Sequence, residues 1–305
     1  METDKTKKTQ IDEIGHQLTT DVNFRKSIWV KFVKGIKEFK MINKGDKIAV
    51  CISGGKDSML LAKCIGELQK HSDEDFEAEY ICMDPGYSTK NRQKILDNAK
   101  LLGIPLTMFE TRIFEAVDKI DDRACYLCAR MRRGYLYRKA KEMGCNKIAL
   151  GHHLDDVIET ILMGMLYGTQ FQTMMPKLHS TNFEGMELIR PLYFVKEADI
   201  IKWRDKNNLE FINCACKITE KNHFADEITK KNRLANEEVG SRNCTKEIKT
   251  EFGSKREEMK RLLKQLRETN KDVDMNIYNS TKKVNLDTII SYMKDGEEIS
   301  FLDNY

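Results

Sequence analysis

Proline is scarce in this 305-residue chain, with four in all, which argues against extended linkers between its parts. No apolar run reaches the length needed to cross a bilayer, and the opening Met1-Glu2-Thr3-Asp4-Lys5 has no signal-peptide core. The expected location is the cytoplasm, with no membrane partner. Neither sign of charge dominates: 52 Lys and Arg stand against 48 Asp and Glu, a surplus of four. So small a total does not identify a nucleic-acid partner, and the distribution of charge has to decide. In a reducing compartment the nine cysteines read as metal ligands, reactive thiols or small buried residues, and not as a disulfide framework. The hydrophobic content of 40% is ordinary, and the length suits one large α/β domain plus a smaller accessory element.

Residues 11–42 read as helical, with Ile28, Val30, Phe32, Val33, Ile36 and Phe39 at near-helical spacing among lysines. From Lys47 the pattern changes. Ile48-Ala49-Val50-Cys51-Ile52 is a β-branched run expected of a strand buried on both faces. It ends at Ser53-Gly54-Gly55, and a helix with Met59, Leu60, Leu61, Cys64, Ile65 and Leu68 inside follows. The alternation continues with strands at 80–83, 106–109, 147–151, 188–192 and 210–212. Between them come helices from Ser88, which can cap, to about Leu102, after the Cys125/Cys128 pair to Met143, over 155–167, and over 198–207. Strands separated by helices imply a parallel, doubly wound α/β sheet. Residues 217–250 are polar and aperiodic, 254–268 form a strong amphipathic helix, and two shorter helices are expected to close the chain.

A strand, then Ser53-Gly54-Gly55-Lys56-Asp57-Ser58, then a helix, is a ready anion site. Glycines let backbone approach phosphate oxygens, and the helix start offers unpaired N–H groups and positive dipole. Ser53 and Ser58 can donate further hydrogen bonds, and Lys56 supplies charge. The spacing is not that of the common NTPase loop, and a glycine-rich turn without a ligand is the bland alternative.

Cys125 and Cys128 stand close enough in sequence to share a metal or cluster, but a lone Cys-x-x-Cys is equally a redox pair or half a zinc site. Cys214 and Cys216 follow the last expected strand, which in a parallel sheet ends on the same rim as the phosphate loop. Two thiols from one segment and one from the other can hold a cluster with one iron open; all four can close a structural zinc site. Between Cys125 and Arg138 there is no acidic residue, and Arg130, Arg132 and Arg133 are interleaved with tyrosines, which suits phosphate contacts and base stacking as well as a plain solvated face.

Gly151-His152-His153-Leu154-Asp155-Asp156 joins a strand to a helix, so its carboxylates are expected at the active rim. They can hold Mg²⁺ or orient a reacting base, although helix capping explains one of them equally well. Asp84, ending the second strand before Pro85-Gly86, is placed either to meet a nucleotide or to start a turn. Cys51, Cys64, Cys82 and Cys145 fall on core faces, and Met163, Met165, Met174 and Met175 read as packing. Cys244 has no evident role.

Ser53–Ser58 resembles the loop of the N-type ATP pyrophosphatases. Cys125–Cys128 followed by Arg132-Arg133-Gly134-Tyr135-Leu136-Tyr137, then 148–156, Met175-Pro176-Lys177-Leu178 and Arg190-Pro191-Leu192, is similar to the TtcA-type tRNA 2-thiocytidine synthetases. The likeness covers about residues 25–216 and resumes near Gly253-Ser254-Lys255. It implies a 4Fe-4S cluster on Cys125, Cys128 and Cys216, with Cys214 the alternate, and sulfur delivery through the open iron. It also implies ATP and Mg²⁺, adenylation of a tRNA base at its carbonyl, and AMP as the leaving group. Lys56 and Asp156 become catalytic candidates, with Ser53–Ser58, Asp84, Gly151 and His152 at the nucleotide and Arg130, Arg132 and Arg133 on tRNA. The implied sulfur donor is a cysteine desulfurase or free sulfide, and a homodimer is compatible with the sequence. The chain departs from the family in having Cys-x-Cys for Cys-x-x-Cys, and in roughly 35 residues inserted before Gly253. A uridine thiolase, a lysidine-synthetase-like ligase and a zinc-containing nucleotide-binding subunit stay open on these residues. The expected organisation is an N-terminal helical region at 1–44, the pyrophosphatase domain with its iron–sulfur site at 45–216, a polar insertion at 217–252 and a C-terminal helical region at 253–305.

Overall fold

The structure, a computed structural model, describes residues 2–72, 75–111, 113, 124–212 and 255–304; the side chains of 2–10, 124–130 and 304 are not described. Cys214, Cys216, Cys244 and the expected insertion lie outside the described residues. The chain forms two compact units, Met1–Leu154 with Met175–Lys246 and Asp155–Met174 with Glu247–Tyr305. No described helix is long and apolar enough to cross a membrane.

The first unit opens with α1 (Glu2–Thr20), α2 (Val22–Phe24), a π-helical turn (Arg25–Trp29) and α3 (Val30–Glu38). The stretch read as one helix is therefore broken at Asp21, whose carboxylate caps α2 by accepting from the Asn23 and Phe24 N–H groups. Then come β1 (Lys47–Ile52), α4 (Lys56–His71), β2 (Glu77–Asp84), α5 (Thr89–Leu102), β3 (Leu106–Glu110), α6 (Ala124–Glu142) and β4 (Lys147–Ala149). After α7 (Leu154–Tyr167) the chain returns to the sheet with β5 (Lys177–His179) and β6 (Glu187–Ile189), followed by α8 (Glu197–Lys206). The strand order is β3-β2-β1-β4-β6-β5, parallel throughout except for the β5 edge. This is the mostly parallel, doubly wound sheet that alternating β and α segments impose. β1 lies at its centre with Ile48, Ala49 and Val50 fully buried, so the loop after β1 emerges mid-sheet. Ser88 caps α5, accepting from the Asn91 N–H.

Five further expectations need correction. Helix α6 starts at Ala124, so the cysteine pair sits inside it and not ahead of it. Residues 210–212 pair with no strand; Phe211 instead stacks on buried Trp203 and Ile212 packs on the phosphate loop. The strand expected at 188–192 stops at Ile189. In the second unit, α9 (Lys255–Thr269) and α10 (Val273–Lys282) are followed by a hairpin of β7 (Ser291–Lys294) and β8 (Glu297–Ser300) where a further helix was expected. Met165 and Met175 are exposed rather than packed.

One ionic cluster fixes the start of β4. Lys147, almost wholly buried, pairs with Asp46 at 2.8 Å and Glu187 at 3.1 Å and donates to the Met41 carbonyl. Burial alone would raise both carboxyls, but hydrogen bonds from Lys147 and Asn146 hold Asp46 down, and Lys147 and Lys177 hold Glu187 down. Both titrate lower folded than unfolded, so their stabilisation is complete above the ordinary values of 3.8 and 4.5 and fades as pH falls below them. Lys147→Met strands two partly buried carboxylates and should cost about 3–5 kcal/mol at pH 7. Thermal melts should show the gap from wild type narrowing as pH falls below those ordinary values, because the stranded carboxyls of the variant can take up protons and the wild-type ion pairs fade; a gap independent of pH would mean that lost packing, and not charge, is responsible.

Candidate active site

β1 ends at Ile52 and α4 begins at Lys56, leaving three residues to turn the chain. Gly54 has φ +85°, and a Cβ there would stand 2.6 Å from Ile95 Cγ1 and 2.7 Å from Ile212 Cδ1. Only glycine fits, on backbone and on space alike. The loop is laced by Ser58: its buried hydroxyl accepts from the Ser53 N–H at 3.1 Å and donates to the Gly55 carbonyl at 2.9 Å. Ser58 thus shapes the loop from within. Gly55 is the N-cap of α4 and supplies no side-chain cap. The first N–H groups of a 16-residue helix are therefore available, with the helix dipole behind them, to an anion.

Lys56 is held between two carboxylates, Glu197 at 2.9 Å and Asp57 at 3.2 Å. Burial would lower its pKa, but these two partners outweigh it and hold the amine above its ordinary value, so Lys56 is cationic. Glu197, the first residue of α8, was not singled out by its sequence; an acid in a first turn reads only as a dipole partner. Asp57 also lies 3.8 Å from buried His153. A cleft of about 460 Å³ adjoins the loop, lined by Gly55, Lys56, Asp57, Lys94, Arg204 and the 209–212 segment.

The separated motifs meet here. A Cβ on Gly151 would lie 3.0 Å from the Asp57 carbonyl carbon and the Ser58 nitrogen, so the turn after β4 rests directly on the loop–helix junction. His152 Nδ1 accepts from Arg190 Nε at 3.3 Å, while Arg190 also donates through Nη1 to the Met175 carbonyl and through its backbone N–H to the Pro176 carbonyl. Residues 151–152, 175–176 and 190 form one assembly that buttresses the phosphate loop.

Asp84 is buried, and its Oδ1 accepts from the Gly86 and Tyr87 N–H groups at 2.9 and 2.7 Å. The turn-forming role is therefore occupied. Tyr87 in turn meets Arg132 at 3.4 Å, which ties the basic helix to the end of β2. Arg132 is half-buried on α6 and Arg133 is exposed; Arg130 falls among side chains not described. Cys125 and Cys128 stand three apart on α6, so their positions share a helix face. Among the described residues no three His, Cys, Asp or Glu side chains converge as metal ligands. Segment 209–212 is tied along the loop's flank, with Asn98 Nδ2 donating to the Glu210 carbonyl at 2.8 Å and Lys94 pairing with Glu210 at 2.7 Å. Cys51, Cys64, Cys82 and Cys145 are buried free thiols. Burial pushes Cys82 to about 12 and Cys145 to about 11, and raises Cys51 and Cys64 as well. These four are neutral core residues.

In the second unit the two acids of α7 part ways. Asp155 is buried and pairs at 2.6 Å with Arg267, which also grips buried Asp274 at 2.8 Å. Asp156 is less enclosed, 3.3 Å from a half-exposed Arg256 that also holds Glu159 at 2.8 Å. Asp155 anchors the helix; Asp156 retains access to solvent.

The PP-loop domain description matches residues 28–222. The tRNA-cytidine(32) 2-sulfurtransferase of Neisseria meningitidis serogroup C is 42% identical over 185 residues, 59% of this chain and 57% of its own length. That of Vibrio cholerae serotype O1 is 42% identical over 187 residues, 59% of each chain. The likeness thus spans under two thirds of these relatives. Among solved structures, the U34-tRNA thiolase NcsA from Methanococcus maripaludis, with its 4Fe-4S cluster, superposes with a TM-score of 0.59 at 19% identity, covering 87% of this chain and 80% of that one. That likeness is one of fold.

Proposed function

This chain belongs to the PP-loop domain family, and from that premise we propose that it is an ATP-dependent tRNA sulfurtransferase acting on a cytidine. The observation that carries the reading is the seating of Ile212 against Gly54. It brings the chain to within two residues of Cys214 beside the loop that is to hold ATP, so one site can serve both adenylation and sulfur insertion.

The N–H groups at the start of α4 receive the ATP phosphates, and Lys56 exchanges Glu197 for the pyrophosphate as its charge develops. Mg²⁺ accompanies the ATP, and the resemblance makes Asp156 the catalytic candidate of the acidic pair; its partly open carboxylate suits such a role better than enclosed Asp155. The C2 carbonyl oxygen of the base attacks the α-phosphorus and pyrophosphate leaves. A sulfide then adds at C2, and AMP departs with the former carbonyl oxygen. Arg130, Arg132 and Arg133 take tRNA phosphates on α6. The donor chemistry fits an iron–sulfur group, since two cysteine positions share one face of α6 and a third can come from the 214–216 segment. When bound, a 4Fe-4S cluster on three thiolates supplies an iron with a free position for sulfur.

The test is anaerobic incubation of the reconstituted protein with ATP, Mg²⁺, sodium sulfide and unmodified tRNA, followed by mass spectrometry of the digested nucleosides. We expect 2-thiocytidine, with AMP and pyrophosphate formed in step. Thiouridine in its place would overturn the acceptor assignment, and ADP with phosphate would remove the adenylation chemistry.

A further inference from the structure

The chain's slight positive surplus is not spread evenly. Residues 25–44 carry seven Lys or Arg and one acid, Glu38, a local surplus of six in a chain whose total is four. The rest of the chain is therefore slightly acidic. In the structure Arg25, Lys26, Lys34, Lys37, Lys40 and Lys44 are all exposed. Among the described residues none of the six forms an ion pair; only Lys31 does, with Asp199. Lys34 stands 5.0 Å over the Phe194 ring, which Phe39 stacks upon.

We propose that this stripe is a second tRNA-backbone surface, separate from the arginines of α6 and from the nucleotide loop. The inference rests on the thiolase reading for the identity of its partner. Its dimensions favour a polyanion: from Arg25 to Glu38 the helical chain rises about 20 Å at roughly 1.5 Å per residue, with Lys40 and Lys44 continuing past its end. A mononucleotide would engage one end of such a stripe. The opposite side of the same segment argues against insertion into a bilayer, because Ile28, Phe32, Ile36 and Met41 are buried in the first unit and Val30 is the one large apolar side chain exposed among residues 25–44. Lysines at helical spacing that form no ion pair release counterions on meeting phosphates and read no sequence. That is what an enzyme needs in order to hold a folded RNA while another surface selects the base.

The experiment compares full-length wild type with a triple variant, Lys26→Ala, Lys37→Ala and Lys44→Ala, which avoids Lys34 on its ring and Lys40 in its left-handed turn. A control triple, Lys90→Ala, Lys100→Ala and Lys206→Ala, removes the same charge from exposed positions elsewhere. Binding of unmodified tRNA is measured across a salt series, together with ATP binding. The stripe variant should bind tRNA about tenfold more weakly near 0.15 M salt. Its slope of log K against log salt should be shallower by about 2–3, since each phosphate contact contributes roughly 0.7–0.9. ATP affinity and the control triple should match wild type. Unchanged tRNA affinity and slope in the stripe variant, or an equal loss in the control, would overturn the proposal. So would unchanged tRNA binding beside lost capture of an acidic protein, which would mark the stripe as a protein interface. Wild type that binds no tRNA at any salt would instead remove the thiolase reading itself.

Discussion

Replacing Lys56 with alanine is expected to cut ATP-dependent turnover at least about 100-fold, the scale set by removing one preorganised charge from a phosphoryl-type transition state. The protein should remain folded. Lys56 is partly exposed, as are both of its partners, Glu197 and Asp57, and pairs of that kind contribute at most about 1 kcal/mol. Asp57→Ala should have a comparable effect on turnover by a different route, because Asp57 bridges Lys56 and His153 at the first turn of α4. Circular dichroism and thermal melting check the fold, and pyrophosphate release checks the chemistry. Since the carboxylates hold the Lys56 amine above its ordinary pKa, any alkaline loss of wild-type activity below about pH 10 belongs to another group. Variants that melt like wild type and still release pyrophosphate at wild-type rates would show that the loop binds no reacting phosphate.

The parts of this site that could be read from sequence are those whose cause is local. β1, its glycine turn and α4 follow from a β-branched run, a residue that tolerates φ +85° and an amphipathic repeat, all adjacent. Ser88 is likewise its own signal. What escaped reading depends on partners far along the chain. Glu197 looks like any first-turn acid until α8 brings it 2.9 Å from Lys56. The pair Asp155-Asp156 looks symmetrical until Arg267 takes one and Arg256 the other. Phe211 and Ile212 have a strand's composition, but burial on Trp203 and Gly54 satisfies the same side chains without a ladder. β5 has three residues and is a strand only because β6 lies alongside. The terminal hairpin is a different case, because its signal was present: Asp295-Gly296, at φ +53° and +89°, is the turn that two-residue hairpins favour. The short polar strands around it carry too little hydrophobic alternation to call attention to it.

The cysteines give the sharpest remaining test, because a three-thiolate cluster and a four-thiolate zinc site predict different mutant sets. If three thiolates bind, Cys125→Ala and Cys128→Ala should each lose the cluster, and so should one member of the Cys214/Cys216 pair, while the other member keeps both cluster and activity. Sulfur insertion needs an iron that the protein leaves open, as catalytic metals keep one position free of protein ligands. The resemblance assigns Cys216 to the essential role and leaves Cys214 dispensable. The four core thiols are not competitors: they are buried, and burial raises the pKa of each, so they are neutral and poor ligands. Visible absorbance and iron content of the four single mutants, reconstituted anaerobically, decide the matter, with about four irons per chain expected in wild type and in Cys214→Ala. Equal metal loss in all four mutants, or zinc in place of iron, would mean a closed site and would remove the sulfur chemistry proposed above. Loss in Cys214→Ala with retention in Cys216→Ala would keep the chemistry and move the third ligand by two residues, to the cysteine nearer the Ile212 anchor on the phosphate loop.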